Sequence, residues 1–198
     1  MTLTPVSTRI LLVSTIVLGV LSSSITKAAE FEVDPMHSSI IFQVTHMNTG
    51  NIYGAFTDFS GEFTYNPELT EENKIEMTVN VASINTFVEA RDNHLRNPDF
   101  FNADVHPTMS FSSSSWEKSG DGDYKVSGDL TMLGVTKQIE VDAKKIGSNE
   151  NREGTPIIGF EYSFTIKRSE FGMDYFIQGL SDEIPVIVAI EGIQQTAE

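Results

Sequence analysis

The sequence contains no cysteine among its 198 residues. This absence excludes disulfides, thiol nucleophiles and a lipid-modified amino-terminal cysteine. Basic residues are also few, because 13 lysines and arginines stand against 28 aspartates and glutamates, which leaves a net charge of -15. A negative field of that size repels nucleic acid and anionic membrane surfaces. We therefore expect no nucleic acid partner, and the sequence does not distinguish a monomer from a homodimer.

The chain also lacks an uncharged apolar run of roughly 20 residues, the length that a membrane-spanning helix needs. The longest such run covers residues 10–21, follows Arg9 and precedes small residues at Thr26 and Ala28. A basic start, a short apolar centre and small residues at a cleavage site are typical of a secretory signal peptide. We predict a cleaved signal peptide at residues 1–29, one mature domain at residues 30–198, export to the periplasm and no stable membrane insertion. A membrane anchor is the alternative.

Motifs that carry catalytic chemistry are missing as well. The spacing of His37 and His46 matches no known metal site, and neither an HExxH motif nor a GxSxG motif occurs. No glycine pattern resembles a phosphate-binding loop. We therefore expect no catalytic residue, no metal and no cofactor. The alternative is a hydrolase or metal-dependent enzyme that uses His46, His94 and nearby carboxylates.

What the sequence does contain is a repeated alternation of apolar and polar residues. Between residues 158 and 166, every second side chain is aliphatic or aromatic, and the others are polar or glycine. A period of two, with one apolar and one wet face, indicates antiparallel sheet. The pattern predicts an all-β fold with eight strands, at residues 31–33 with 38–47, 53–65, 74–84, 108–117, 123–133, 136–146, 156–168 and 184–193. Eight antiparallel strands close into a barrel whose interior can hold one slender ligand.

One segment departs from this alternation. Residues 86–89 have the sequence of a capping box, and Pro98 ends the helical propensity that follows. We predict one short helix near residues 87–97. One stripe of this helix carries Phe87, Arg91, His94 and Leu95. Because a lone helix in an all-β chain must bury such a stripe, we expect it to lie across one end or a flank of the barrel, which makes it a candidate lid.

The apolar faces of the strands form the predicted interior. The pattern alone leaves open whether these side chains fill a packed core or line an open pore. The predicted pore-lining residues are Ile40, Phe42, Val44, Met77, Val79, Val81, Phe111, Tyr124, Val126, Leu130, Met132, Phe160, Tyr162 and Phe164.

Five segments carry a resemblance to a known family. They are DPMHSSIIFQVTH at residues 34–46, GAFTDFSGEF at 54–63, RDNHLRNPDFF at 91–101, GDLTMLGVTK at 128–137 and RSEFGM at 168–173. With these segments in this order, the chain resembles the YceI-like family of polyisoprenoid-binding, lipocalin-like periplasmic proteins over essentially its whole mature region. The segment at 128–137 is the most specific, and Gln138 is a small departure from a position where proline is common.

The resemblance implies an extended barrel whose pore takes the isoprenoid tail of a prenyl quinone or a polyprenyl phosphate. The expected function is to bind, carry or sequester a long-chain isoprenoid lipid in the periplasm, with the lipid as the ligand. From their place on the predicted helix, Arg91 and His94 are the candidates to contact the lipid head group. The alternative is structural, with Arg91 paired to one of the many carboxylates. Because the chain is acidic, a neutral quinone head is favoured over a pyrophosphate.

Overall fold

A computed structural model describes residue 1 and residues 27–196 of the chain. The strands are β1 (Ala29–Val33), β2 (Ser39–His46), β3 (Gly50–Phe56), β4 (Phe59–Tyr65), β5 (Lys74–Asn80), β6 (Ile84–Asn85), β7 (Thr108–Lys118), β8 (Asp123–Met132), β9 (Val135–Glu150), β10 (Pro156–Lys167) and β11 (Glu183–Gln194). The helix α1 spans Glu89–Leu95, and no helix in this part of the chain is long and apolar enough to cross a membrane. The predicted signal peptide falls almost entirely outside the described residues and stays a prediction.

Eight strand positions close into a barrel. All strand pairs are antiparallel, and neighbours follow the order β1, β4, β5, β7, β8, β9, β10 and β11, with β11 pairing back to β1. The remaining three strands extend these positions, because β2 continues β1 beside β11, β3 leads into β4, and β6 continues β5. The predicted all-β, lipocalin-like barrel of eight antiparallel strands with one short helix is confirmed.

The two ends of the barrel differ in how they are filled. At one end, which we call the closed end, aromatic rings from several strands pack edge to face. The ring of Trp116 lies 5.5 Å from that of Tyr124 and 5.7 Å from that of Phe160, measured between centroids. At the opposite end, α1, the β2–β3 turn and the segment 168–182 surround an opening. We call this end the mouth.

The helix differs from its prediction in both its start and its length. It begins after Val88, which provides no side-chain cap, and it ends at Leu95, two residues earlier than predicted. Phe87 has a φ of +67°, which takes the backbone out of the helical path, so Thr86 cannot cap the helix. Thr86 Oγ1 instead donates a hydrogen bond to the carboxylate of Asp92. The capping-box prediction is therefore wrong, and so is the place of Phe87 on the buried stripe.

Candidate functional site

The mouth half of the barrel encloses a cavity of about 210 Å³. Its wall is mostly apolar, and the polar side chains in it are Thr86, Arg91, Ser110, Tyr162 and Arg168. For comparison, a dry apolar cavity of about 150 Å³ engineered into another protein is large enough to bind benzene. The shape and chemistry of the space therefore suit a slender hydrocarbon.

Several of the side chains that line this cavity are only partly buried, although others are fully buried. Phe42, Phe111, Phe164 and Val186 all line it, yet each keeps an intermediate exposure. At the closed end, by contrast, Val126 is 0% exposed. The interior is thus packed at one end and open at the other, and the alternative of a completely filled core is wrong.

Ten of the fourteen predicted pore-lining residues line this cavity: Ile40, Phe42, Val44, Met77, Val79, Phe111, Leu130, Met132, Tyr162 and Phe164. The other four lie elsewhere. Tyr124, Val126 and Phe160 belong to the packed core of the closed end. Val81 is buried in the 3-10 turn after β5, where its backbone nitrogen donates to the carbonyl of Pro107. Alternation along a strand predicts which side chains face inward, but it does not predict their depth along the barrel axis.

Two glycines allow aromatic rings to lie against the barrel wall. A Cβ atom at Gly54 would come within 2.3 Å of Cζ of Phe42, which pairs with it on the neighbouring strand. A Cβ atom at Gly128 would come within 2.5 Å of Cζ of Phe111. Both rings line the cavity. A larger residue at either glycine would therefore push a ring into the space that the cavity occupies.

Much of the wall comes from residues that the sequence analysis did not place in the pore lining. They are Ile52, Phe56, Ile75, Thr86, Leu95, Phe100, Phe101, Met109, Ser110, Val141, Ile166, Arg168, Met173, Leu180, Ile184, Val186 and Val188. The alternation in the sequence could have predicted some of these residues. Arg168 continues the inward alternation of Phe164 and Ile166 by two residues, and β11 alternates in the same way.

Arg91 reaches the cavity from α1. Its Nε donates to Thr86 Oγ1 at 2.7 Å, and its Nη2 donates to the carbonyl oxygen of Thr86 at 2.6 Å. Thr86 is held in turn by Asp92, whose carboxylate accepts a hydrogen bond from the Thr86 backbone nitrogen at 2.8 Å. Among the described residues, no carboxylate forms an ion pair with Arg91. The guanidinium is therefore oriented by Thr86, while its charge is left without a directly paired anion.

His94 does not line the cavity. Its Nε2 lies 3.1 Å from Oδ2 of Asp99, and its ring packs edge-on against Phe100 and Tyr175 at centroid distances of 5.1 and 5.6 Å. These contacts fasten α1 to the residues around it. His46, at the end of β2, is also exposed and outside the cavity lining. The two histidines of the enzymatic alternative therefore do not meet inside the barrel.

Arg168 ties the segment 172–182 to the barrel and is only 3% exposed. Its guanidinium donates hydrogen bonds of 2.9 to 3.2 Å to the backbone carbonyls of Met173, Tyr175, Leu180 and Ser181. Burial lowers the pKa of the Arg168 guanidinium, and the carboxylates of Asp182 and Asp174 oppose that change. Because the guanidinium of Arg168 donates to four backbone carbonyls of this segment, it fixes the position of the segment at the mouth of the cavity.

Tyr124 and Tyr162 are both buried, but their hydroxyls differ in hydrogen bonding. The hydroxyls of Tyr124 and Tyr65 lie 2.8 Å apart, whereas the hydroxyl of Tyr162 has no hydrogen-bond partner among the described residues. Burial raises the pKa of Tyr162, so its hydroxyl stays neutral. A buried polar group without a partner costs about 1–3 kcal/mol.

We predict opposite effects on stability when either hydroxyl is removed. Tyr162→Phe should raise the melting temperature by about 2–4 °C, because it deletes an unpaired hydroxyl without changing the shape of the ring. Tyr124→Phe should lower the melting temperature by at least as much, because it leaves the hydroxyl of Tyr65 unpaired. Calorimetry of the two lipid-free variants measures both effects, and shifts of the same sign would contradict this assignment.

Away from the cavity, three described side chains could converge on a cation. The ligand atoms of Asp34, His37 and Glu191 lie within 4.8 Å of one another. Nδ1 of His37 is 2.7 Å from Oδ2 of Asp34 and 3.6 Å from Oε1 of Glu191. The hydrogen bond to Asp34 raises the pKa of His37. None of the three lines the cavity. Their contacts hold the bend between β1 and β2 against β11, which is a structural role.

Known proteins share this architecture. Protein YceI of Escherichia coli is 36% identical over 170 residues, which cover 85% of this chain and 88% of that protein. The crystal structure of the Campylobacter jejuni YCEI protein is 34% identical, with a TM-score of 0.70 over 77% of this chain and 90% of that one. A polyisoprenoid binding domain from Saccharophagus degradans, implicated in plant cell wall breakdown, is 15% identical with a TM-score of 0.65 over 85% of this chain and 100% of that one, a likeness of fold alone. The model of the YceI-like domain matches residues 31–192, and the chain therefore belongs to the YceI-like family.

Proposed function

We propose that this protein binds an isoprenoid lipid in the barrel cavity and carries or sequesters it in the periplasm. The observation that carries the proposal is the apolar cavity of about 210 Å³, enclosed by buried and half-buried aliphatic and aromatic side chains. The name of the Saccharophagus degradans domain, which shares the fold, supports an isoprenoid as the ligand. Export rests on the basic start and the short apolar run of residues 1–29.

The energetics set a condition on the length of chain that is bound. One five-carbon isoprene unit contributes on the order of 3 kcal/mol when it is fully buried, at about 0.8 kcal/mol per methylene. Association itself costs about 4–15 kcal/mol. By comparison with benzene in a cavity of about 150 Å³, the present space holds roughly one to two such units. Tight binding of a longer chain therefore requires the cavity to widen.

Four methionines are placed to allow that widening. Met77, Met109, Met132 and Met173 all line the cavity. Methionine is unbranched and polarizable, so it can change rotamer and repack against a ligand at low cost. A long tail would displace these side chains and replace their mutual contacts with contacts to the lipid.

Mass spectrometry of an organic extract tests the proposal directly. Protein purified from its native compartment without detergent should release an isoprenoid in a fixed ratio to protein, and treatment with a chelator should not change that ratio. The spectrum would also identify the head group as a prenyl quinone or a polyprenyl phosphate. Recovery of protein without any isoprenoid, or with only ordinary phospholipid, would contradict the proposal.

Arg91 is the side chain that supports recognition of the head group. It lines the cavity, Thr86 orients it, and none of the described carboxylates pairs with it. Arg91→Gln should weaken lipid binding by about ten- to hundredfold if a phosphate accepts its hydrogen bonds, and by less than about tenfold for a quinone carbonyl. Arg152→Gln is the matched control, because Arg152 is exposed in the β9–β10 turn and lies outside the cavity lining. Titration with a fluorescent prenyl analogue measures the affinity of both variants. Equal affinity of Arg91→Gln and the wild type would show that Arg91 does not contact the ligand.

We also propose that the protein performs no chemistry on its ligand. The histidines of the enzymatic alternative, His46 and His94, lie outside the cavity lining, and so do the carboxylates of Asp34 and Glu191. The described wall presents a threonine, a serine, a tyrosine and two arginines, with no carboxylate among them to act as a general base.

A further inference from the structure

A group of exposed apolar side chains lies at the mouth of the barrel. It consists of Met47, Phe87, Val88, Tyr175, Phe176 and Ile177, and we call it the mouth rim. Phe87 is 82% exposed, Met47 52% and Phe176 50%. Single exposed apolar residues are common on protein surfaces, but several around one opening mark an interaction site.

The mouth rim is continuous with the cavity. Thr86 and Arg91, which stand on either side of Phe87 and Val88 in the chain, both line the cavity. Met173 and Leu180 line the cavity as well, and residues 175–177 lie between them in the sequence. The backbone nitrogen of Met47 donates a 2.7 Å hydrogen bond to the carbonyl of Gly179, which joins the β2–β3 turn to the same segment.

The backbone holds three of these side chains in an unfavourable conformation. Met47, Phe87 and Phe176 have φ values of +50°, +67° and +51°. This left-handed region favours glycine, asparagine and aspartate, and it is rare for a bulky residue. Strained backbone of this kind clusters at functional sites. The exposure of an apolar side chain and the strain of its backbone thus coincide at three positions on separate turns.

We propose that the mouth rim docks on the surface of a bilayer of zwitterionic lipid, so that an isoprenoid passes between membrane and cavity without crossing water. This inference rests on the proposed function, because it assigns the surface through which the same ligand would move. The rim residues themselves carry no charge. The net charge of -15 on the chain opposes docking on an anionic bilayer, which makes a neutral surface the partner that fits.

The size of the mouth rim favours a bilayer over a second copy of this chain. A stable protein interface takes about 20–30 residues from each partner. The rim offers six side chains on three turns. Such a group is too small for a stable dimer. Insertion of a few aromatic and aliphatic side chains at the level of the lipid head groups is, by contrast, a recognised mode of reversible membrane association.

The double variant Phe87→Asn with Phe176→Asn tests the proposal. Asparagine tolerates the left-handed backbone, so the melting temperature should stay equal or rise while the apolar rings are removed. Co-flotation with phosphatidylcholine vesicles that contain no isoprenoid should fall by about tenfold or more relative to the wild type. Ile146→Thr is the control, because Ile146 is 63% exposed on the part of β9 far from the mouth and its loss should leave flotation unchanged.

Two results would overturn docking on a bilayer. One is a wild-type protein that does not float with these vesicles or floats as well as the double variant does. The other is concentration-dependent dimerization that the double variant abolishes, because the rim would then be a contact between copies. Failure of the proposed function is distinguishable, because it appears as absence of binding to a detergent-solubilised prenyl analogue in wild type and variant alike. If docking holds, the variant binds the solubilised analogue normally and extracts it from vesicles more slowly.

Discussion

Val186→Trp should weaken lipid binding by about a hundredfold without unfolding the barrel. Val186 lies on β11, pairs with Phe42 and Phe164, and lines the cavity at intermediate exposure. The indole would fill space that a ligand needs. Exclusion of a single isoprene unit removes on the order of 3 kcal/mol of burial, which corresponds to about a hundredfold loss of affinity. Titration with a prenyl analogue measures the loss, and the melting temperature of the lipid-free protein should change little.

Val126→Trp is the matched control, with the opposite expected result. Val126 also faces the interior, on β8, but it is 0% exposed in the closed end and does not line the cavity. Overpacking there should cost about 1–3 kcal/mol of stability, which lowers the melting temperature by several degrees. The affinity of the folded fraction for lipid should remain close to that of the wild type. If both variants lost affinity and stability to the same degree, the division of the barrel into an open and a closed end would be wrong.

Arg168→Met should cause a larger loss of stability than Val126→Trp or Tyr124→Phe. Methionine keeps the aliphatic stem but removes the donors that reach the carbonyls of Met173, Tyr175, Leu180 and Ser181. One of these acceptors is buried and the others are partly buried. A buried acceptor left unpaired costs about 1–3 kcal/mol and a partly buried one less, so a total loss of at least about 3 kcal/mol is expected. For a domain of this size, that corresponds to a fall of roughly 6 °C or more in melting temperature.

The loss should be local as well as global. Because Arg168 fastens the segment 172–182, limited proteolysis of Arg168→Met should cut within that segment before it cuts any strand. Arg152→Met serves as the control, since Arg152 lies exposed in the β9–β10 turn with no side-chain hydrogen bond or ion pair in the described structure. A melting temperature of Arg168→Met equal to that of Arg152→Met would contradict the role assigned to Arg168.

The helix shows where local sequence patterns mislead. Residues 86–89 match a capping box, but the pattern does not reveal that Phe87 takes a φ of +67° and that Arg91 and Asp92 engage the side chain of Thr86. The sequence places Arg91 and His94 on one side of a helix. In the folded protein Arg91 lines the cavity, whereas His94 bonds to Asp99. Arg91 and His94 differ in role because their partners, Thr86 and Asp99, lie in loops. The helical period does not predict the path of those loops.

The sequence by itself determined the eight strand positions of the barrel, the antiparallel pairing and most of the inward faces, because alternation with a period of two is a local property of each strand. Only the tertiary structure decided which part of the interior is open. Phe160 and Phe164 share a face of β10, yet Phe160 packs against Trp116 and Tyr65 while Phe164 lines the cavity. That difference depends on the size of side chains brought from strands distant in sequence. The packing of the closed end, the cavity and the position of Arg91 in its wall therefore exist only once the barrel has closed.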